Sequence, residues 1–266
     1  MSDSILHEVA GGLARITLNR PEKRNALSLE MVEELSRAID VVREDASTRV
    51  VLLTARGKAF CSGMDLSAVR LDEPDEAGRF ATALAEVYRK LLTLPIPLLC
   101  GVDGPVMGGG GGLALAADLV WVGPKALFAF PETRLGVVPA LVSVVVRRRV
   151  SPLTLSGMAT TGIPCDATRS VLVGLADFLA ADSAAVEAEA CAQRLLHENS
   201  GAAMRRTKEF LIAQWREDLD EELRAAETEF RKAVASPEAR RGLEAFRRKL
   251  PLTWDDRSED EQTHSS

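Results

Sequence analysis

Cysteine and histidine, from which disulfide frameworks and many metal centres are built, are scarce in this sequence. Its 266 residues include four cysteines and three histidines. The cysteines form no C-x-x-C pair, so we expect reduced, mostly buried thiols and a cytoplasmic protein. A histidine-based metal site is not expected from His7, His197 and His264 alone.

Long apolar runs and an excess of basic residues are also missing. The most apolar stretch, residues 91–122, is interrupted by Asp103, five glycines and Asp118, so we expect no transmembrane helix. The N-terminus lacks a cationic region followed by a long apolar one, so no signal peptide is expected. Lys and Arg number 33 against 39 for Asp and Glu, which argues against a nucleic-acid partner.

Strand and helix patterns alternate along the first half of the chain. Gly11 and Gly12 separate two β-rich runs and predict a hairpin, and Ser28 is a predicted helix N-cap. The order β-α-β-α-β predicts a mostly parallel sheet with crossover helices. The further predictions in this half are strands at 50–53, 98–102 and 119–122 and helical segments at 29–42, 77–92 and 113–117.

The second half loses its strand patterns. Apolar residues recur there at i, i+3 and i+4, which predicts amphipathic helices. The final residues, 255–266, are polar and acidic and are expected to form a disordered tail. The predicted helices span residues 183–196, 201–215, 220–234 and 237–248.

Five consecutive glycines, residues 108–112, lie between a predicted strand and a helical pattern. Linker glycines usually have polar neighbours, whereas these have apolar ones. At a strand-to-helix junction, glycines leave helix-initial N–H groups free, and those donors suit a developing negative charge. The run is not a P-loop, because no Lys-Ser or Lys-Thr follows it.

Two further segments are of interest for chemistry. Residues 57–66 follow a predicted strand, at the edge where open α/β sheets bind ligands. Glu132 lies in an apolar stretch, residues 127–140. It is either paired with Arg134, exposed, or buried among apolar neighbours, and burial would raise its pKa and suit it to proton transfer.

Five segments occur in a distinctive order: ITLNRPEKRNALS (16–28), AFCSGMDL (59–66), GPVMGGGGGLALAAD (104–118), FPETRLGVVPA (130–140) and SPEARRGLEAF (236–246). Together they resemble the enoyl-CoA hydratase/isomerase (crotonase) family, over roughly residues 5 to 254. The resemblance implies an α/β fold with a crotonase-like spiral of ββα units. The acyl-CoA-binding core would span residues 1–195 and a helical trimerisation region residues 196–254, with trimers often paired into hexamers.

The resemblance also implies that the chain binds an acyl-CoA and stabilises the enolate of its thioester. The backbone N–H groups of Met64 and Gly109 would form the oxyanion hole, and Glu132 would be the acid/base. No cofactor is implied, because coenzyme A is part of the substrate. The implied substrate-binding residues are Arg24 at the CoA phosphates, Ser62, Asp65 and Leu66 at the adenine, largely through backbone contacts, and also Ala26, Gly112 and Ala140.

The chain departs from the best-known hydratases at one catalytic position. Those enzymes use two glutamates, and Gly112 stands where the first is expected, whereas Glu132 keeps the second. This resembles a single-glutamate branch that includes 3-methylglutaconyl-CoA hydratases and polyketide-associated dehydratases. We therefore expect a hydratase that adds water to an enoyl-CoA or dehydrates the 3-hydroxy form. The alternatives are an enoyl-CoA isomerase and a non-catalytic acyl-CoA-binding protein.

Overall fold

A computed structural model describes residues 4–68, 74–252 and 254. The strands are β1 (Ile5–Ala10), β2 (Leu13–Leu18), β3 (Val50–Ala55), β4 (Leu98–Val102), β5 (Pro105–Met107), β6 (Leu119–Val122), β7 (Leu127–Ala129), β8 (Cys165–Asp166) and β9 (Phe178–Leu179). Six of them form the larger sheet, in the order β1-β2-β3-β4-β6-β9, in which only the β1–β2 hairpin is antiparallel. A smaller sheet has the order β5-β7-β8. The mostly parallel sheet and the hairpin are therefore confirmed.

Helices cover the sheets and fill most of the second half. The predicted N-cap is confirmed, because the Ser28 hydroxyl accepts a hydrogen bond from the Met31 N–H at 3.2 Å. The helices are α1 (Leu29–Glu44), α2 (Pro74–Leu92), α3 (Gly109–Leu115), α4 (Ala140–Val146), α5 (Pro152–Thr161), α6 (Ala167–Leu172), α7 (Ala184–Glu198), α8 (Gly201–Ala213), α9 (Arg216–Val234) and α10 (Pro237–Arg248).

The sequence patterns did not predict several short elements. Strands β5, β7, β8 and β9 are two or three residues long, too short to show a period. Helices α4, α5 and α6 were not predicted either. Helix α3 begins at Gly109 rather than near residue 113, because packing can hold glycines in a helix despite their low propensity.

The four cysteines are buried free thiols, as predicted. Over the described residues, no helix is long and apolar enough to cross a membrane. The same residues contain no group of three or more His, Cys, Asp or Glu placed to hold a metal ion. The predicted tail, residues 255–266, lies outside the described residues.

The helices of the second half pack back onto the first half. Helix α9 packs against α2 and α4, and α10 packs against a 3-10 turn formed by Pro131–Leu135. The backbones of α10 and this turn nearly touch: a Cβ added at Gly242 would lie 2.2 Å from the Leu135 carbonyl oxygen. The predicted domain boundary at residue 195 falls inside α7, and the division stays a prediction. The α10 backbone therefore supports the turn that carries Glu132.

Candidate active site

A cavity of about 110 Å³ lies between α2, the start of α3, the 3-10 turn and α4. Its walls are largely apolar, and Phe230 from α9 and Leu243 from α10 close one side. Among the described residues, Glu132 supplies its one carboxylate. The cavity brings together these predicted site residues: Ser62, Met64, Leu66, Gly109, Glu132 and Ala140.

The backbone around Met64 leaves its N–H group free for a ligand. Leu27 pairs with Met64 in a parallel bridge, in which the Leu27 N–H donates to Gly63 and the Leu27 carbonyl accepts from Asp65. In this pattern the N–H of Met64 points away from Leu27. Within the described part of the chain it donates to no acceptor. Met64 therefore offers an unpaired donor on a residue that lines the cavity.

Gly109 provides the second donor, because it is the first residue of α3 and its N–H has no partner within the helix. The preceding residue, Gly108, has a φ of 49° and a ψ of −125°, which favours glycine. A Cβ at Gly108 would lie 2.7 Å from Glu132 Oε1. The missing side chain therefore lets the carboxylate approach the backbone next to Gly109.

The other glycines of the run are each required by a close neighbour. Added Cβ atoms would lie 2.6 Å from the Cys61 side chain at Gly110 and 2.8 Å from the Phe130 ring at Gly111. At Gly112 the Cβ would lie 2.2 Å from Cζ of Tyr88. Gly112 is buried and does not line the cavity, and the Tyr88 ring leaves no space for a side chain, carboxylate or other, at this position.

The carboxyl group of Glu132 is held in an apolar setting. Its Oε2 atom is buried and has no hydrogen-bond partner among the described residues. Burial raises the pKa of Glu132 to about 7, although a hydrogen bond from its own backbone N–H lowers it somewhat. The alternative of a pair with Arg134 is wrong, because the Arg134 guanidinium donates to the Gly162 carbonyl at 3.0 Å. Near neutral pH this carboxyl group can both accept and donate a proton.

Asp65 and Ala26, expected to contact substrate, take part in hydrogen bonds that join residues 20–26 to the segment that follows Met64. The buried Asp65 carboxylate accepts hydrogen bonds from Arg20 at 2.7 Å and from the Ser67 hydroxyl at 2.5 Å. Burial raises the pKa of Asp65, but these hydrogen bonds outweigh it and lower the pKa below its usual value. Arg20 also donates to the Ala26 carbonyl at 3.0 Å. The carboxylate oxygens of Asp65 are thus hydrogen-bonded within the protein.

Sequence reasoning missed Arg20 and Asn25, whose side chains make hydrogen bonds that hold residues 20–26 in place. Asn25 is fully buried with a φ of 53°, and its amide donates to the carbonyls of Arg56 and Ala59 at 2.9 Å each. These partners are remote in sequence, so no local pattern could identify them. Arg24 is exposed, and its carbonyl accepts a hydrogen bond from the Ser62 N–H at 3.0 Å. Its role toward CoA phosphates stays a prediction.

An α/β fold that places an acidic side chain in one apolar cavity with two backbone N–H donors suits enzymes in which negative charge develops on a carbonyl oxygen. The comparisons with known proteins identify the family. The sequence profile of the enoyl-CoA hydratase/isomerase family matches residues 8–257. The chain belongs to this family and shares its fold, including the helical C-terminal region.

Individual relatives are named both as hydratases and as an isomerase. A Thermus thermophilus protein provisionally named an enoyl-CoA hydratase is 34% identical over 244 residues, 91% of this chain and 96% of that protein. The crystal structure of an enoyl-CoA hydratase from Mycobacterium avium matches with a TM-score of 0.83 and 30% identity, covering 96% of this chain and all of that one. A 1,2-epoxyphenylacetyl-CoA isomerase from Escherichia coli is 35% identical over 143 residues, 52% of this chain and 55% of that protein.

Proposed function

We propose that this enzyme is a hydratase of the single-glutamate type, which adds water to an α,β-unsaturated acyl-CoA or removes it from the 3-hydroxy form. One observation carries the proposal: Glu132, whose buried Oε2 has no hydrogen-bond partner among the described residues, lines the same apolar cavity as Met64 and Gly109, whose N–H groups donate to no acceptor among those residues. The thioester oxygen would accept hydrogen bonds from both N–H groups.

The steps of hydration balance with one acid/base group. Ionised Glu132 takes a proton from water as the water oxygen bonds to C3, and the C2=C3 electrons move toward the thioester carbonyl. The two N–H groups stabilise the enolate oxygen, an effect worth roughly 3–4 kcal/mol for each donor. Glu132 then returns a proton to C2, so the net change is the addition of one water molecule. These steps use no metal or redox cofactor.

Double-bond isomerisation is the second candidate, and one observation favours it. Glu132 is the one carboxylate lining the cavity within the described residues, so no second carboxylate is there to hold a water molecule. An isomerase needs only one base, which moves a proton between C2 and C4 of a 3-enoyl-CoA. A non-catalytic acyl-CoA-binding role does not account for a desolvated acid/base with a pKa of about 7.

The proposal is tested with crotonyl-CoA, 3-methylglutaconyl-CoA and a 3-enoyl-CoA as separate substrates. We expect a product heavier by one water from at least one of the first two, identified by chromatography and mass. A product of unchanged mass from the 3-enoyl-CoA, with no hydrated product, would instead establish the isomerase. Binding of all three thioesters without turnover would support the binding role.

The activity of this site should depend on pH near neutrality. Burial raises the pKa of Glu132 to about 7, and only the ionised form can accept a proton from water. We therefore expect kcat/KM for hydration to fall as the pH drops below about 7 and to level off above it. The measurement is the initial rate at low substrate concentration between pH 5 and 9. A flat profile would remove Glu132 from the role of general base.

We also propose a homotrimer or a hexamer made of two trimers. Large apolar side chains are exposed on the second half of the chain, and burial of such side chains against other copies would be favourable. The most exposed of them are Leu153, Leu172, Val186 and Phe210, whose relative exposures are 85%, 81%, 68% and 68%.

A further inference from the structure

Tyr88 is the only tyrosine of the chain and is fully buried in α2. It lines the cavity together with Phe80 and Leu84, which precede it by two turns and one turn on the same face of the helix. Its hydroxyl donates a hydrogen bond of 2.6 Å to the carbonyl oxygen of Gly109. The hydration steps described above do not use this hydroxyl, so its position requires another explanation.

Gly109 lies within a glycine run, so the direction of its N–H depends on contacts that restrain the backbone. Glycine adopts many backbone conformations, so a run of five would leave that direction poorly defined. Three hydrogen bonds restrain the backbone here: the Gly108 N–H donates to the Ala129 carbonyl at 2.9 Å, the Gly108 carbonyl accepts from the Gly111 N–H at 2.8 Å, and the Gly109 carbonyl accepts from Tyr88. Of these, the Tyr88 hydrogen bond is the one that ties Gly109 itself to a side chain of another helix.

The ring of Tyr88 reinforces this restraint from the other side. It fills the space that a side chain at Gly112 would occupy, since a Cβ there would lie 2.5 Å from the tyrosine hydroxyl. Burial, together with nearby Cys61 and Glu132, raises the pKa of Tyr88 well above its usual value, so the hydroxyl stays a neutral donor. Ring and hydroxyl therefore both hold the first turn of α3.

We propose that Tyr88 is a positioning residue, whose hydroxyl holds Gly109 so that the Gly109 N–H points at the thioester oxygen. The inference rests on the proposed function, because it needs a thioester in the cavity. Donors stabilise developing charge best when they are aligned before reaction. Loss of the hydroxyl should therefore weaken polarisation of the bound carbonyl without removing the acid/base.

The test is the Tyr88→Phe variant, which keeps the ring and removes the hydroxyl. The probe is butyryl-CoA labelled with carbon-13 at the thioester carbonyl, a saturated compound that cannot be hydrated. Isotope-edited infrared difference spectra report how far the carbonyl stretch moves to lower frequency on binding. We expect a clear shift in the wild type and a smaller one in Tyr88→Phe, with kcat on crotonyl-CoA about 10-fold lower, as for one lost hydrogen bond, and KM nearly unchanged.

Thr93→Val is the matched control, because it removes another hydroxyl-to-carbonyl hydrogen bond, from the residue that directly follows α2 to a carbonyl of that helix. The Thr93 hydroxyl donates to the Arg89 carbonyl at 2.7 Å, and Thr93 does not line the cavity. This control should keep the wild-type carbonyl shift and kcat. If Tyr88→Phe also keeps the wild-type shift, or if both variants lose it equally, the inference is overturned. Absence of any shift in the wild type would instead overturn the proposed oxyanion hole itself.

Discussion

Glu132→Gln is expected to lower kcat for hydration by roughly 10²- to 10⁴-fold, the usual contribution of a positioned general acid/base. Glutamine keeps the size of the side chain and removes the group that moves the proton. Because the two backbone N–H groups remain, binding of butyryl-CoA should be nearly unchanged. The measurements are steady-state kinetics on crotonyl-CoA and the dissociation constant for butyryl-CoA. Glu33→Gln is the matched control, since Glu33 is exposed on α1, and it should retain wild-type kinetics.

The stability of Glu132→Gln shows whether lost activity reflects lost folding. The pKa of Glu132 is about 7 in the folded protein, above the ordinary value of 4.5. The wild type should therefore lose stability, on the order of 3 kcal/mol, as the pH rises from about 4.5 through 7, because folding then buries a charge. The variant carries no such charge, so its free energy of unfolding should rise relative to that of the wild type at pH 8. Full activity in a well-folded variant would contradict the role of Glu132.

Gly112→Ala is expected to destabilise the folded protein by about 1–3 kcal/mol, the usual cost of adding an atom to a filled core. The added Cβ would lie 2.2 Å from Cζ of the fully buried Tyr88 ring. The ring cannot withdraw freely, because its hydroxyl is bonded to Gly109. The measurement is urea unfolding at one fixed protein concentration, since assembly also contributes to stability.

Gly157→Ala is the control for the glycine substitution. Gly157 is exposed within α5, and a Cβ there would meet nothing within 4 Å. Alanine should stabilise this helix by up to about 1 kcal/mol. In a Tyr88→Ala background, Gly112→Ala should lower the free energy of unfolding by less than it does in the wild type, because the ring that the added Cβ would meet is gone. An equal cost in both backgrounds would show that Tyr88 is not the obstacle.

The sequence predicted several helices and strands that carry capping residues, turn glycines or a clear apolar period. Helix α10 has the predicted bounds because Ser236 caps it, Pro237 starts it and apolar residues recur at helical spacing. The hairpin was equally clear, because Gly11 and Gly12 separate two β-rich runs and both adopt positive φ. Strands of two or three residues carry no such pattern, and their pairing partners are far away in the chain.

The predicted site residues divide in a similar way. Motifs located Glu132 and the glycine run, but they left open whether Glu132 pairs with Arg134 or is buried. The fold settles this, because the Glu132 Oε2 atom is buried with no hydrogen-bond partner among the described residues, while Arg134 bonds to Gly162. The expected contact of Asp65 with substrate stays a prediction, but no motif could show that its carboxylate pairs with Arg20, which is 45 residues away. Burial and ion pairing depend on neighbours that a motif does not contain.

The amino-acid order was sufficient to predict the family, the mostly parallel sheet and the Glu132 segment, because these depend on local periodicity and on motifs of contiguous residues. The tertiary structure was needed to show that there is no space for a carboxylate at Gly112. Tyr88 lies 24 residues earlier, and its ring occupies that space only after α2 has packed against α3. It was also needed to bring Phe230 and Leu243 to the cavity, since packing joins residues that no sequence pattern relates.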